Sequence, residues 1–383
     1  MMQAMLGGGS VSVPVPLAAL VAELGGELVA GPTHLSRDAW GQTPIQRPSA
    51  LAGSQSGDLV FYFSRDFESE LELAKASAVL ASANFLDRLK ELPWVSDAVV
   101  WTHPDPYWAM AKLTEIFAPS LSTIAFVPQA KGKGPRGVPP RVHPSAVVHP
   151  TVRLGEGASV GPHCVIEEGV LIGEGSQLYP GCFIGPGVQI GADCVVFPNV
   201  VLYEHTKIGD RVRIHANTTV GSDGFGYAPE KSAGRVQGLQ KIYHLGRVVI
   251  GNDAELGAGV TIDRGTFGET RVAAGAKLDN QVHLGHNTSV GSFSAIAGAT
   301  CLAGRASVGR FVQIGGLTGV GNQVHIGDGA QVGALAMVTK DVPPGSTAVG
   351  NPQRDYRTHF KVHALLNKLL EERSQKLSGG SQS

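Results

Sequence analysis

Aromatic residues are scarce in this 383-residue chain, at 6%, and charged residues make up only 16%. That scarcity suits a thin aliphatic core with many tight corners. A formal net charge of −1 argues against nucleic acid as a bulk partner, which would draw a basic surface. No apolar run approaches the length of a membrane-spanning helix. The opening MMQAMLGGGSVSVPVP lacks the basic start and long apolar centre of a secretory leader. Cysteines number only four, and Cys164, Cys182 and Cys194 all fall at one small, inward-facing phase of a repeat described below. Cys164 and Cys182 are close enough in register for a disulfide, but buried free thiols in a reducing cytoplasm are the expectation.

What the chain has in abundance is glycine, 51 residues, arranged around a six-residue beat. An aliphatic side chain recurs every sixth residue from Val142 to Val220, resumes at Ile250, Leu256 and Ile262, and runs again from Val272 through Leu278, Leu284 and Leu302 to Val338. Such a period is the signature of a hexapeptide β-helix. Each hexad makes a short flat strand and a corner, and three hexads close a triangular coil. Residues eighteen apart then stack in parallel strands about 4.8 Å apart, giving roughly ten coils and a prism about 45 Å long. The expected class is therefore mainly β, with additions at both ends that could cap the open coil.

Residues 1–130 do not follow the beat and read as a small α/β domain with a nucleotide-binding look. Residues 16–28 have helical spacing stopped by Gly25 and Gly26, and residues 58–63, 78–81 and 98–101 read as strands. Residues 67–76 and 107–117 have helical character. Of the aromatic cluster Phe61, Tyr62, Phe63 and Phe67, at least half is expected to be core. Residues 131–141, containing KGKGPRGVPP, form a linker by composition, and the β-helix is expected over 142–350. His143, His149, His163, His205 and His215 read as exposed corner residues. Two interruptions, 223–246 and 263–268, leave the rhythm, and insertions of this kind map to a binding face. In the first, Phe225 between Gly224 and Gly226 offers an aromatic to a ligand; the shorter second one is expected to lean on the first. Residues 351–383 hold an amphipathic helix over 356–370, locally basic, and a Ser/Gly/Gln tail expected to be disordered after Lys376.

The chemistry points to residues 278–287, LDNQVHLGHN. A corner histidine stacked against an uncovered backbone N–H offers a general base beside a donor for a developing oxyanion. An imidazole is the side chain suited to take a proton near neutral pH, and His286 supplies one. Gly304, eighteen residues on, stacks over it with no side chain to cover its N–H. His286 and Gly304 are thus the candidate base and oxyanion donor, and His283 is read as a neighbour.

Together, GSDGFGYAP, LGRVVIGNDAELGAGVTIDRG and LDNQVHLGHN resemble the UDP-3-O-acylglucosamine N-acyltransferases of lipid A biosynthesis, and the resemblance covers nearly the whole chain. It implies a left-handed coil and a homotrimer with clefts between prisms. It also implies transfer of a 3-hydroxyacyl chain from acyl carrier protein to the 2-amino group of UDP-linked acylglucosamine. No metal, organic cofactor, nucleic acid or transmembrane segment is called for, and the implied location is cytoplasmic. By family position, Asp279 and Asn280 line the cleft, Phe61 stacks on the uracil, and Met337 lies at the far end of the acyl groove. Two departures stand out. Gln323 occupies the place of a second family histidine and cannot carry a titrating proton, while His325 nearby has a different direction. Ser64 and Phe67 replace an asparagine and a tyrosine of the uracil site.

Other readings remain open from the residues. A coenzyme A-dependent sugar acetyltransferase would lack the long insertion and the N-terminal domain. A zinc hydrolase on the same prism would require histidine spacing that His283, His286 and His325 do not reproduce. A non-catalytic scaffold would be indifferent to His286→Ala.

Overall fold

The computed structural model describes residues 14–121, 138–232, 235–351 and 353–379. The start expected to lack a leader, at 1–13, lies outside them, as does most of the expected linker, 131–137. The chain divides into two compact units, Met1–Lys133 and Gly134–Ser383, each described by itself.

In the second unit the six-residue beat becomes a left-handed parallel β-helix. Two-residue strands alternate with four-residue corners and assemble into three sheets of nine, twelve and ten strands. Face one includes Ser289–Val290 and His325–Ile326, face two includes Lys277–Leu278, and face three includes His283–Leu284. Partners stand one coil apart: Lys277 pairs with Ala295, His283 with Cys301 and Ser289 with Ser307. The beat residues fill the axis, with Leu256, Leu284 and Leu302 fully buried. Corners take a left-handed residue even where it is not glycine, as at Asn287 (φ 58°), Arg305 (φ 60°) and Phe311 (φ 57°). Left-handed geometry costs such residues on the order of 1 kcal/mol. Stacking along the edge offsets part of this, as where Phe293 and Phe311 lie 5.3 Å apart.

The small phase two residues before each beat has a chemical reason. At several coils its side chain donates to the corner carbonyl of the next coil, Ser176 Oγ to Gly191 O at 2.7 Å, Thr218 Oγ1 to Gly257 O at 2.8 Å and Ser294 Oγ to Gly309 O at 2.7 Å, while alanine or valine there simply fills the axis. Cys164, Cys182 and Cys194 donate in the same way to the carbonyls of Tyr179, Phe197 and Gly209. All three thiols are free and buried. Burial pushes Cys194 up to about 11, so it is a hydrogen-bond donor and not a thiolate.

At the first interruption the coil register widens to forty-two residues, as in the Arg211–Asp253 ion pair. The surplus leaves as an antiparallel hairpin of Tyr227–Ser232 and Arg235–Lys241. The second interruption stretches the register to twenty-two. It does lean on the first: Leu245 N donates to Thr266 O and Gly246 N to Gly265 O, each at 2.9 Å. Thr347–Val349 and Arg354–Asp355 close face two, and a helix spans Tyr356–Gly379. That helix runs beyond Lys376, where the sequence suggested disorder, because nothing in RSQKLS before Gly379 and Gly380 breaks it; residues 380–383 lie outside the described set.

The first unit is a five-stranded sheet in the order Glu27–Ala30, Val99–Thr102, Ala78–Ala81, Asp58–Tyr62, Arg47–Pro48, parallel except for its first pair. The opening helix is shorter than its spacing suggested, Leu17–Leu24, because Gly25 takes φ 89°; Leu28 belongs to the strand that follows. The helical stretch expected at 67–76 shrinks to Glu68–Leu71, preceded by a single tight turn. Helix Pro106–Leu121 extends the one expected over 107–117. Of the aromatic cluster, Tyr62 is fully buried, Phe61 packs against the core, and Phe67 is exposed.

Candidate functional site

His286 sits on the corner between faces three and one, two residues past the buried Leu284. Its protonation pattern follows from its neighbour. Asn287 Nδ2 donates to Phe267 O at 2.7 Å, and Asn287 Oδ1 accepts the Thr266 N–H at 3.0 Å. Those two bonds fix the amide, so the oxygen 3.2 Å from His286 Nδ1 accepts the ring proton there. Thr266 Oγ1 lies 3.3 Å from the same nitrogen. Nε2 is therefore left with its lone pair.

That nitrogen faces Gly304. A Cβ on Gly304 would lie 2.5 Å from His286 Nε2, so no other residue fits without moving the ring. Elsewhere on the prism the same corner N–H is capped by the next coil: Ala192 by Asp210, Ala258 by Asn280 and Arg310 by Asp328, all within 2.8 Å. Among the described residues no acceptor takes the Gly304 N–H. A bare imidazole nitrogen and an open N–H thus share one half-buried corner.

The two interruptions build the wall behind it. Arg264, nearly fully buried, donates from Nε to Gly221 O at 2.6 Å and from Nη1 to Glu204 Oε1, holding the Glu204 carboxyl below its ordinary value. Asp263 is buried beside it, and burial raises its carboxyl, with His283 Nε2 3.8 Å from Oδ2 working the other way. His283 Nδ1 is bound to Thr261 Oγ1 at 2.8 Å, which keeps it a neighbour of the site. His244 closes the wall, its ring 5.2 Å from that of His286 at 70°. Sequence reasoning singled out neither His244, Asp263 nor Thr266. A signal existed: counting back six from Ile250 and Val272 puts His244 and Thr266 on beats where an aliphatic residue belongs.

The remaining expected residues separate. Gln323 lies on the same edge two coils on, roughly 10 Å away at the strand spacing. It takes the left-handed place of Asn287 and Arg305, while Asn322 stacks in the column of His286 and Gly304. His325 points from face one, bound to Ser307 Oγ at 2.9 Å. Asp279 and Asn280 stand one corner earlier, between faces two and three, so a single chain does not gather them around His286. Their side chains cap Gly298 N and Ala258 N, and they line a groove of about 910 Å³ on face two with His215, Glu255 and Lys277. His215 is no bland corner residue: it stacks 4.6 Å from Phe197 and sits 3.1 Å from Glu255, whose carboxyl it helps hold at about 2. Phe225 is 87% exposed and packs edge-on to Tyr227. Met337 projects from face three over Gly319, in one outward column with Cys301 and His283. Phe61 belongs to the first unit, where Ser64 Oγ is spent on Asp66.

Among the described residues, no three histidine, cysteine or acidic side chains are placed to hold a metal ion. Nor is any helix there long and apolar enough to cross a membrane.

The family model for bacterial transferase hexapeptide (six repeats) matches residues 187–222. A UDP-3-O-acylglucosamine N-acyltransferase from Granulibacter bethesdensis is 45% identical over 358 residues, covering 94% of this chain and 95% of that one. Another of that name from Dechloromonas aromatica is 42% identical, covering 76% and 73%. Among solved structures, a UDP-N-acetylglucosamine acyltransferase from Arabidopsis aligns at 27% identity and a TM-score of 0.47, covering 56% of this chain and 73% of that one.

Proposed function

The chain belongs to the UDP-3-O-acylglucosamine N-acyltransferase family and is an acyltransferase of the lipid A pathway, and on that premise we propose its reaction. It moves a 3-hydroxyacyl chain from acyl carrier protein to the 2-amino group of UDP-3-O-acylglucosamine, in the cytoplasm. His286 Nε2 takes a proton from the amine as its nitrogen attacks the thioester carbonyl carbon. The new C–N bond pushes negative charge onto the carbonyl oxygen, which the Gly304 N–H receives. Collapse expels the thiolate, and the His286 imidazolium returns the proton to it, leaving an amide and a free thiol. A general base contributes roughly 10²–10⁴-fold to such a reaction, and one oxyanion donor about 10²–10³-fold.

One observation carries this reading: the bare His286 Nε2 faces a glycine whose N–H is uncapped. The other roles follow the family positions. Asp279 and Asn280 reach the site from a neighbouring copy in a homotrimer, which accounts for their separate edge in one chain. Gln323 hydrogen-bonds the substrate without exchanging a proton, and Phe225 lies against the nucleotide sugar. Met337 bounds the acyl chain, and in the first unit Phe61 offers its ring to the uracil.

The test is incubation of the purified protein with UDP-3-O-acylglucosamine and 3-hydroxyacyl carrier protein, with the product read by mass. The diacylated sugar is expected. Transfer only from coenzyme A thioesters, or none, would overturn the proposal.

A further inference from the structure

Which nitrogen of an imidazole carries the hydrogen is set by what the other nitrogen meets. At His286 that choice falls to Asn287, whose amide has two unlike ends. Turned one way, its oxygen takes the hydrogen of His286 Nδ1 and leaves Nε2 bare. Turned over, its NH₂ group would donate to Nδ1 and put the hydrogen on Nε2. The first orientation holds because the 263–268 loop reads the amide from both ends, through the Thr266 N–H at 3.0 Å and the Phe267 carbonyl at 2.7 Å. Thr266 Oγ1, 3.3 Å from Nδ1, is a hydroxyl that suits either state. Among the described residues no carboxylate hydrogen-bonds His286. The neighbouring His244 is held below its ordinary value, first by burial and then by His286, so it brings no charge to the corner.

The loop itself is held by polar contacts, since its one apolar side chain, Phe267, is 71% exposed. Arg264 N donates to Ser222 O at 2.9 Å, and the Arg264 side chain then turns back along the prism. It reaches Gly221 O one coil away and Glu204 two coils away, with its guanidinium 5.8 Å over the Tyr203 ring. Only 8% of that side chain is exposed, and a charge so far from water is retained only with a partner. Resting on the acyl-transfer reading above, we propose that Arg264 and Glu204 are positioning residues for the base at His286. They pin the 263–268 loop, the loop fixes the Asn287 amide, and the amide keeps the hydrogen on Nδ1. Neither residue touches a reacting atom. Release of the loop frees Asn287 to turn over, and the hydrogen then sits on the nitrogen that faces Gly304, where it blocks proton uptake.

The test reads the His286 tautomer by nitrogen NMR of the full-length protein carrying isotopically labelled histidine, at about pH 8.5, where imidazoles are neutral. The His286 signals are assigned against His286→Ala, and kcat and KM for both substrates are measured alongside. Wild type is expected to show Nδ1 protonated and Nε2 bare. Arg264→Met and Glu204→Gln should move the ring toward the Nε2–H form and lower kcat about tenfold and about threefold, with KM for both substrates unchanged. Asn287→Ala should move it likewise; alanine already takes that left-handed backbone at Ala299. Because Arg264 acts through Asn287, adding Arg264→Met to Asn287→Ala should change neither tautomer nor kcat further. Arg264→Met and Glu204→Gln proteins with the wild-type tautomer overturn the proposal, as does an undiminished Arg264→Met loss in the Asn287→Ala background. Glu204→Gln leaves the guanidinium in place and decides alone if Arg264→Met does not fold. If the tautomer shifts as expected while wild type transfers no acyl chain, the positioning stands and the proposed reaction fails.

Discussion

An imidazole serves as a base through one nitrogen only when the other is committed, and both histidines at this corner are committed at Nδ1. His286 gives its proton to Asn287, His244 to a backbone carbonyl. The His286–Gly304 pair was legible from the sequence because eighteen residues close a coil. The Asn287 clamp and the His244 wall were not, because they depend on loops that leave the repeat, whose register no period sets. The depressed His244 has a consequence for stability. Its native form refuses a proton that the unfolded chain accepts below about pH 6.5. The stability it contributes is full above that value and is lost as pH falls through the lower native one. The thermal midpoint of wild type should therefore drop more steeply from about pH 7 to about pH 5 than that of His244→Gln, as read by calorimetry. Equal slopes would contradict this.

A single hexad is an aliphatic plug, a small residue two positions earlier, and a corner whose carbonyl is satisfied by a neighbouring coil where that small residue carries a hydroxyl or thiol, as at Thr218, Ser294 and Cys194. Composition revealed the plug and the smallness; the donor role emerged only with the corner carbonyl in view. It makes the cysteines replaceable by rule. Cys194→Ser should keep the bond to Gly209 O and leave the melting temperature close to wild type. Cys194→Leu adds bulk to a closed axis and should cost about 1–3 kcal/mol in chemical denaturation. The hairpin was less legible than the coil. Every residue of Tyr227–Ser232 is exposed, so no buried face imposes the alternation by which a strand is recognised. The terminal helix was visible from its spacing, but its end was not, since the turns from His363 to Arg373 are exposed and carry no packing signal.

At the scale of the molecule, the separation of Asp279 and Asn280 from His286 is a matter of counting. They fall one hexad apart in phase, and one hexad is one edge of the triangle, so the sequence already implied different corners. If both edges serve one reaction, a second copy must supply one of them. Light scattering should accordingly give three times the 39.9 kDa chain mass, and an active monomer would contradict the shared cleft. The central claim can be reached more directly, through His286 itself. Its side chain is outside the aliphatic axis, so His286→Ala should keep the assembly and melting temperature of wild type. Single-turnover transfer from 3-hydroxyacyl carrier protein to UDP-3-O-acylglucosamine should fall roughly 10²–10⁴-fold in that variant; a folded His286→Ala protein that transfers within a few-fold of wild type would contradict the account.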